Sequence, residues 1–158
     1  MERPDTPAVA AVLAAGIDHD ITVIGRVSSA EEAAASRGIP LGRLVKSLVV
    51  RRGEDDYLFV LITGDRSLDW AKLRSVLGVS RLSLPPADEA QAVTGYERGT
   101  ITPFGSTHSW PVLADERVPG ADQVAVGGGK HGVGIHLTGD ALVAATGAVV
   151  ADLTKTGN

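Results

Sequence analysis

Two runs decide the fold: Leu44-Val-Lys-Ser-Leu-Val-Val-Arg51 and Tyr57-Leu-Phe-Val-Leu-Ile-Thr63, separated by the polar stretch Gly53-Glu-Asp-Asp56. Both are short, apolar and rich in β-branched or aromatic residues, which suits strands, and the glycine-led stretch between them reads as a hairpin connection. A hairpin in a chain otherwise rich in helix signals argues for α+β. A doubly wound sheet would instead alternate single strands with helices.

Upstream, Thr6 and Pro7 read as the N-cap and first residue of a helix over the Ala/Val/Leu run to Ala15, with Gly16 as its stop. Asp20 to Ile24 is a strand candidate. Ser28-Ser29-Ala30-Glu31-Glu32 carries overlapping capping boxes, so a helix is expected to Arg37 with Gly38 ending it. Downstream, Ser67 is expected to cap a helix from Leu68 to Leu77, Arg81 to Leu84 to form a strand, and Ala87 to Val93 a helix closed by Gly95. Strands follow at Pro111–Ala114, Gln123–Val126 and Val133–Leu137, then a helix led by Thr138-Gly-Asp140 to Thr146 and a last strand over Ala148–Leu153. No repeat or low-complexity linker interrupts the pattern, so the 158 residues are expected to form one compact domain over 1–158.

Composition narrows the function. The chain is 44% hydrophobic and 22% charged, as soluble globular proteins are, and no apolar run reaches the length of a membrane span. The start Met-Glu-Arg-Pro-Asp lacks the basic patch and apolar core of a secretory signal, so a cytoplasmic protein is expected. Cysteine is absent, which removes disulfides, thiolate nucleophiles and cysteine metal sites. A net charge of −4 argues against broad, sequence-independent nucleic-acid binding. It leaves room for a local basic rim, for which Arg43, Lys46, Arg98, Lys130 and His131 are candidates.

Three places carry candidate chemistry. Lys46 sits among apolar residues on both faces of its strand. It is either a lysine whose stem snorkels to water or a site residue whose ammonium meets a phosphate or a polarised carbonyl. The stretch Gly95-Tyr-Glu-Arg-Gly-Thr-Ile-Thr-Pro-Phe-Gly105 concentrates three glycines and a proline, which suits a rigid loop presenting bare amides to a ligand. Gly127-Gly-Gly-Lys-His-Gly132 matches G-x-G-x-x-G in form, but Val133-Gly-Ile-His-Leu137 after it alternates like a strand rather than opening the helix a dinucleotide site needs. It reads as a hairpin turn whose amides could also hold an anion.

The four histidines show no metal-ligand spacing and no Gly-x-Ser-x-Gly is present, so neither a metal, a cofactor nor a serine triad is expected. Asp140 reads either as a first-turn carboxylate on its helix dipole or as a cleft residue.

In order and spacing, Val45-Lys46-Ser47-Leu48-Val49-Val50, Gly99-x-x-x-Pro103-Phe104-Gly105, Gly127 to Gly132 and Asp140-Ala-Leu142 resemble the YbaK/ProX-type family. These are free-standing relatives of the editing domain of some prolyl-tRNA synthetases. The resemblance implies an α+β fold with a mixed, partly barrel-like sheet. It also implies hydrolysis of the ester joining a wrong, small amino acid (alanine, cysteine, serine or threonine) to the 3′ end of tRNA, with tRNA-Pro the first candidate.

Carried over by position, Lys46 and Gly99 would be catalytic. Thr100, Pro103, Gly127, Gly128, Gly129, Lys130 and Asp140 would line the substrate pocket. The implied partners are aminoacyl-tRNA and prolyl-tRNA synthetase. The first strand reads Ile21-Thr-Val-Ile24 where many members carry a tyrosine. The competing expectations are a non-catalytic module that holds tRNA ends or a synthetase, and a metal-dependent hydrolase of another small ester.

Overall fold

A computed structural model describes residues 4–157. The first helix, α1 (Pro7–Ala14), is capped by Thr6, whose hydroxyl accepts from Val9 N at 3.0 Å. Such a cap stabilises a helix by about 1 kcal/mol. Next come β1 (Asp20–Val23) and α2 (Ala30–Arg37). The cap of α2 is reciprocal: Ser29 Oγ accepts from Glu32 N, and Ser28 N and Oγ donate to Glu32 Oε2.

The two deciding runs are β2 (Val45–Gly53) and β3 (Asp56–Thr63), joined by a tight turn and paired antiparallel from Val45↔Thr63 to Arg51↔Tyr57. A short strand β4 (Arg66–Leu68) precedes helices α3 (Trp70–Leu77) and α4 (Ala87–Thr94). The second half contributes β5 (Val112–Asp115), β6 (Val124–Gly127), β7 (Val133–Leu137), α5 (Gly139–Thr146), β8 (Val149–Ala151) and β9 (Thr154–Thr156).

These strands make a four-stranded sheet in the order β2-β3-β5-β8, a three-stranded sheet β1-β7-β6 and a β4-β9 pair. The larger sheet is mixed, since β3–β5 and β5–β8 run parallel. A parallel bridge between Leu44 and Ala125 links the two larger sheets at the start of β2. The expected α+β architecture is therefore the observed one.

Alternation along β2 and β3 feeds two apolar clusters. Val45, Val49, Phe59 and Leu61 pack with α1, α4 and β5–β7, while Val50, Leu58, Val60 and Ile62 pack with Leu73 and Leu153. Burying each such side chain contributes on the order of 1.5–3 kcal/mol, so the hairpin is held from both faces.

Three local expectations are corrected. Ser67 and Leu68 lie in β4, paired with Lys155 and Thr154, and the cap of α3 is Asp69, which accepts from Lys72 N. Pairing with a distant strand outweighs a local serine cap signal here. Arg81–Leu84 makes one bridge, Ser83 with Arg51, rather than a strand. The last expected strand is shorter, β8 ending at Ala151, and β9 follows beyond its expected end; between them the buried Asp115 carboxylate accepts from Leu153 N and Thr154 Oγ1.

His136 on β7 is buried, with Nε2 2.9 Å from Thr22 Oγ1. Burial pushes its pKa down, the Arg37 charge adds to this and Asp20 opposes it. A depressed folded value means stability is present in full above the unfolded value of 6.5 and is lost as pH falls from there through the folded one. Urea midpoints followed from neutral to acidic pH are expected to fall more steeply for the native protein than for His136→Gln. Parallel curves would remove His136 from the acid response.

Candidate active site

The main cleft, of about 720 Å³, opens along the free edge of β2. At one end Leu44 bridges Ala125; at the other Arg51 N donates to Ser83 O at 2.8 Å and Ser83 N returns the bond at 3.1 Å. Outward and inward hydrogen-bonding residues alternate along a strand with regular antiparallel pairing. Ser47 and Val49 therefore aim their main-chain N–H and C=O groups the same way as Arg51, into the cleft, where no strand pairs with them. The Ser47 hydroxyl is also buried there without a hydrogen-bond partner.

The walls come from four segments. Helix α2 and the turn before it give Arg26, Ala33 and Arg37; residues Leu84 to Ala90 face them; the Gly95–Gly105 loop gives Arg98, Gly99 and Ile101; the β6–β7 turn gives Gly127 and Lys130 to Val133. Five cations, Arg26, Arg37, Lys46, Arg98 and Lys130, line this cleft with His131, and no Asp or Glu does. On a chain of net charge −4, such segregation of sign makes a local positive potential.

The half-buried Lys46 donates from Nζ to Arg66 O at 3.2 Å. One carbonyl satisfies one of the three ammonium donors. Arg37 has a buried Nε with no hydrogen-bond partner, and burial lowers its pKa. Its room comes from Gly134, where a Cβ would lie 2.5 Å from that Nε.

Gly99 has φ +91°, a conformation that L side chains rarely adopt, and its missing Cβ would lie 3.3 Å from His131 Cε1. His131 Nε2 is 2.7 Å from Glu97 Oε1. A carboxylate only accepts, so the Nε2 proton faces Glu97 and the neutral ring keeps its Nδ1 lone pair free. Sequence reasoning named His131 only as a rim cation and saw no base. The pairing joins two loops 34 residues apart, and no spacing rule announces it.

The remaining sequence-derived residues divide. Lys46, Gly99, Gly127 and Lys130 meet in the cleft; Thr100, Pro103, Gly128, Gly129 and Asp140 are not on its walls. Thr100 is buried, its hydroxyl donating to Glu97 O at 2.8 Å, so it shapes the turn that carries Gly99. Ser106 N donates to the Pro103 carbonyl at 3.4 Å. Gly128 O accepts from Thr6 Oγ1 at 2.7 Å, and a Cβ on Gly129 would lie 2.8 Å from the Tyr96 ring. Tyr96 itself donates to Phe104 O at 2.6 Å, and burial raises its pKa to about 12, so the brace stays protonated. Asp140 is exposed in the first turn of α5 and accepts from Gly120 N at 2.9 Å, which ties the start of that helix to the loop before it, while Thr138 supplies the cap.

A cationic cleft with bare main-chain groups and no lining carboxylate suits an anionic ligand. The comparisons with known proteins agree: the family model of the aminoacyl-tRNA editing domain matches residues 25–145. The chain belongs to this family, and its reaction class is deacylation of mischarged tRNA.

It is 31% identical over 126 residues to the Enterococcus faecalis protein named "Putative Cys-tRNA(Pro)/Cys-tRNA(Cys) deacylase EbsC", covering 80% of this chain and 77% of that one. It is also 31% identical over 126 residues to the proline–tRNA ligase of Thermosipho melanesiensis, covering 78% of this chain but only 22% of the ligase. A solved structure titled "Crystal structure of a putative trans-editing enzyme for prolyl tRNA synthetase" superposes with a TM-score of 0.86 at 29% identity, over 96% of this chain and 99% of that one. Among the described residues no helix is long and apolar enough to cross a membrane.

Replacing Gly99 by alanine forces a strained backbone and presses a methyl group on His131. The expected result is a single-turnover deacylation rate about tenfold lower, consistent with a displacement costing on the order of 1.4 kcal/mol of transition-state stabilisation. An unchanged rate would take the loop out of the reaction.

Proposed function

We propose that the protein acts in trans on tRNA-Pro wrongly charged with a small amino acid, hydrolysing the ester at the 3′ terminus. The observation that carries this reading is the cleft itself, with five cations, no carboxylate and an unpaired strand edge. Phosphates of the 3′-terminal nucleotides lie against the arginines and Lys46, and the aminoacyl group reaches the β2 edge beside Gly99. Similarity to the domain within proline–tRNA ligases and to the trans-editing enzyme supports prolyl-tRNA synthetase as the source of the mischarged substrate.

An aminoacyl ester is already activated. Its hydrolysis needs a positioned water, donors for the developing oxyanion and a proton acceptor. Main-chain N–H groups of the β2 edge and the spare donors of Lys46 supply the second. His131 Nδ1, its ring oriented by Glu97, supplies the third, with the vicinal ribose hydroxyl assisting. The water oxygen bonds to the ester carbonyl carbon, the bond to the ribose oxygen breaks, and that oxygen takes the proton. Free amino acid and a tRNA 3′ end are released. Small side chains are admitted by size, a criterion that discriminates single methylenes only weakly.

Single-turnover deacylation of tRNAs charged with alanine, cysteine, serine, threonine and proline tests the reading. Rapid loss of one or two small esters with prolyl-tRNA spared is the expected outcome, whereas folded protein that hydrolyses none would leave only binding of the tRNA end. Lys46→Ala is expected to lower the rate about a hundredfold, the scale of one lost oxyanion donor, with an unchanged melting temperature, since Lys46 makes a single side-chain bond. Full activity in that variant would sink the proposed role. His131→Asn is expected to lower kcat about a hundredfold with KM little changed, the scale of a lost general base. A native kcat in that variant would exclude His131 as proton acceptor.

A further inference from the structure

A second cleft, of about 570 Å³, lies at the other end of β2. It is lined by Arg51, Arg52, Arg74 and Arg81, with Glu54 its single carboxylate. Arg52 is neutralised by a two-pronged pair with Asp56 at 3.0 and 3.1 Å. Arg51 faces Glu89 at 3.5 Å, but its buried Nε has no hydrogen-bond partner. Arg74 on α3 and Arg81 beyond it make no side-chain hydrogen bond or ion pair among the described residues. Arg74 and Arg81 are thus the two uncompensated guanidinium groups of this depression, and like charges in one depression repel unless an anion joins them.

The two clefts are neighbours along one strand, on either side of the Arg51–Ser83 bridge. They share strand β2 and the segment around the Ser83 bridge, with Ser83 lining the second cleft and Leu84 the first. Five Lys or Arg residues line the first and four the second, nine of the fifteen in the chain, against one of the nineteen Asp and Glu residues. That concentration, on an acidic protein, decides for a polyanion over a scattered solvated surface.

We infer that the Arg51–Arg81 cleft holds the sugar-phosphate backbone of the substrate's acceptor-stem duplex. This rests on the reading of the first cleft as the site of the tRNA 3′ end. Along β2 the distance from Lys46 to Arg52 is about 20 Å, the rise of an extended strand. A stacked nucleotide strand advances about 3.4 Å per residue, so this spans roughly six nucleotides and reaches past the single-stranded tail to the start of the stem. No Phe, Tyr or Trp lines the second cleft, so it lacks the platforms on which unpaired bases stack, and its guanidinium groups suit phosphates instead. Its one large apolar side chain, Leu82, is too little for the core of a protein–protein interface.

The test combines Arg74→Ala with Arg81→Ala and compares two RNAs: an uncharged acceptor-stem minihelix and the trinucleotide CCA. By fluorescence anisotropy the minihelix is expected to bind about tenfold more weakly, with a salt slope smaller by about two, one for each lost phosphate contact. Binding of the trinucleotide, and deacylation of its aminoacylated form, are expected to match the native protein, which also shows that the variant folds. Native affinity and native salt slope for the minihelix would overturn the inference. So would unchanged minihelix binding with loss of binding to prolyl-tRNA synthetase, which would make the arginines a protein contact. Native protein that hydrolyses neither charged RNA would overturn the reading of the first cleft instead.

Discussion

The free edge of β2 is the constraint on which the site depends. Unpaired strand edges are a hazard that proteins cover or blunt, because each leaves a row of N–H and C=O groups seeking partners. Here the edge is pinned at Leu44 and Arg51 and left open between them. The segments that would cover it, α2 and Leu84–Ala90, stand back as walls. What would be a defect in a structural sheet becomes a floor of main-chain donors and acceptors that cost no reorganisation when a ligand arrives. The position is tolerable because the same strand is anchored on its other side by seven consecutive pairings with β3 and by apolar packing on both faces.

Around that floor, glycine-rich segments bring backbone close without filling the space. The loop carrying Gly99 is stiffened from beneath by the Tyr96 bond to Phe104 O and by the Thr100 bond to Glu97 O. The β6–β7 turn is fixed by Gly128, whose N donates to Val133 O while its O accepts from Thr6. Rigid supports of this kind hold His131 and Glu97 in register, although each belongs to a different loop.

Much of this was legible in the sequence because the signals are local. Thr6-Pro7, Ser29 with Glu32 and the two β-branched runs around Gly53–Asp56 each state their element within a few residues, and the elements formed accordingly. The failures share one cause, partners far away along the chain. Ser67 and Leu68 became strand through residues 154–155, and Ser83 found a lone partner in Arg51. The same holds at the site. Lys46, Gly99, Gly127 and Lys130 line one cleft, whereas Asp140 engages Gly120 and Gly128–Gly129 turn toward α1. Motif spacing reports which residues are near a pocket but not whether each faces it. The His131–Glu97 pair and the orphaned Arg37 Nε exist only once the chain has closed.

Helix α1 precedes the stretch that matches the family, yet it touches both glycine loops at once. Thr6 bonds Gly128, Ala8 packs toward Gly129, and Gly105 fits against the Pro7 carbonyl so closely that a Cβ there would lie 2.5 Å away. The helix is thus a keystone set from outside the arch. A module trimmed to the matched core would keep every residue that lines the main cleft and lose what holds two of its walls at fixed spacing. The spacing of the two glycine loops is set by a segment that itself stays outside the cleft.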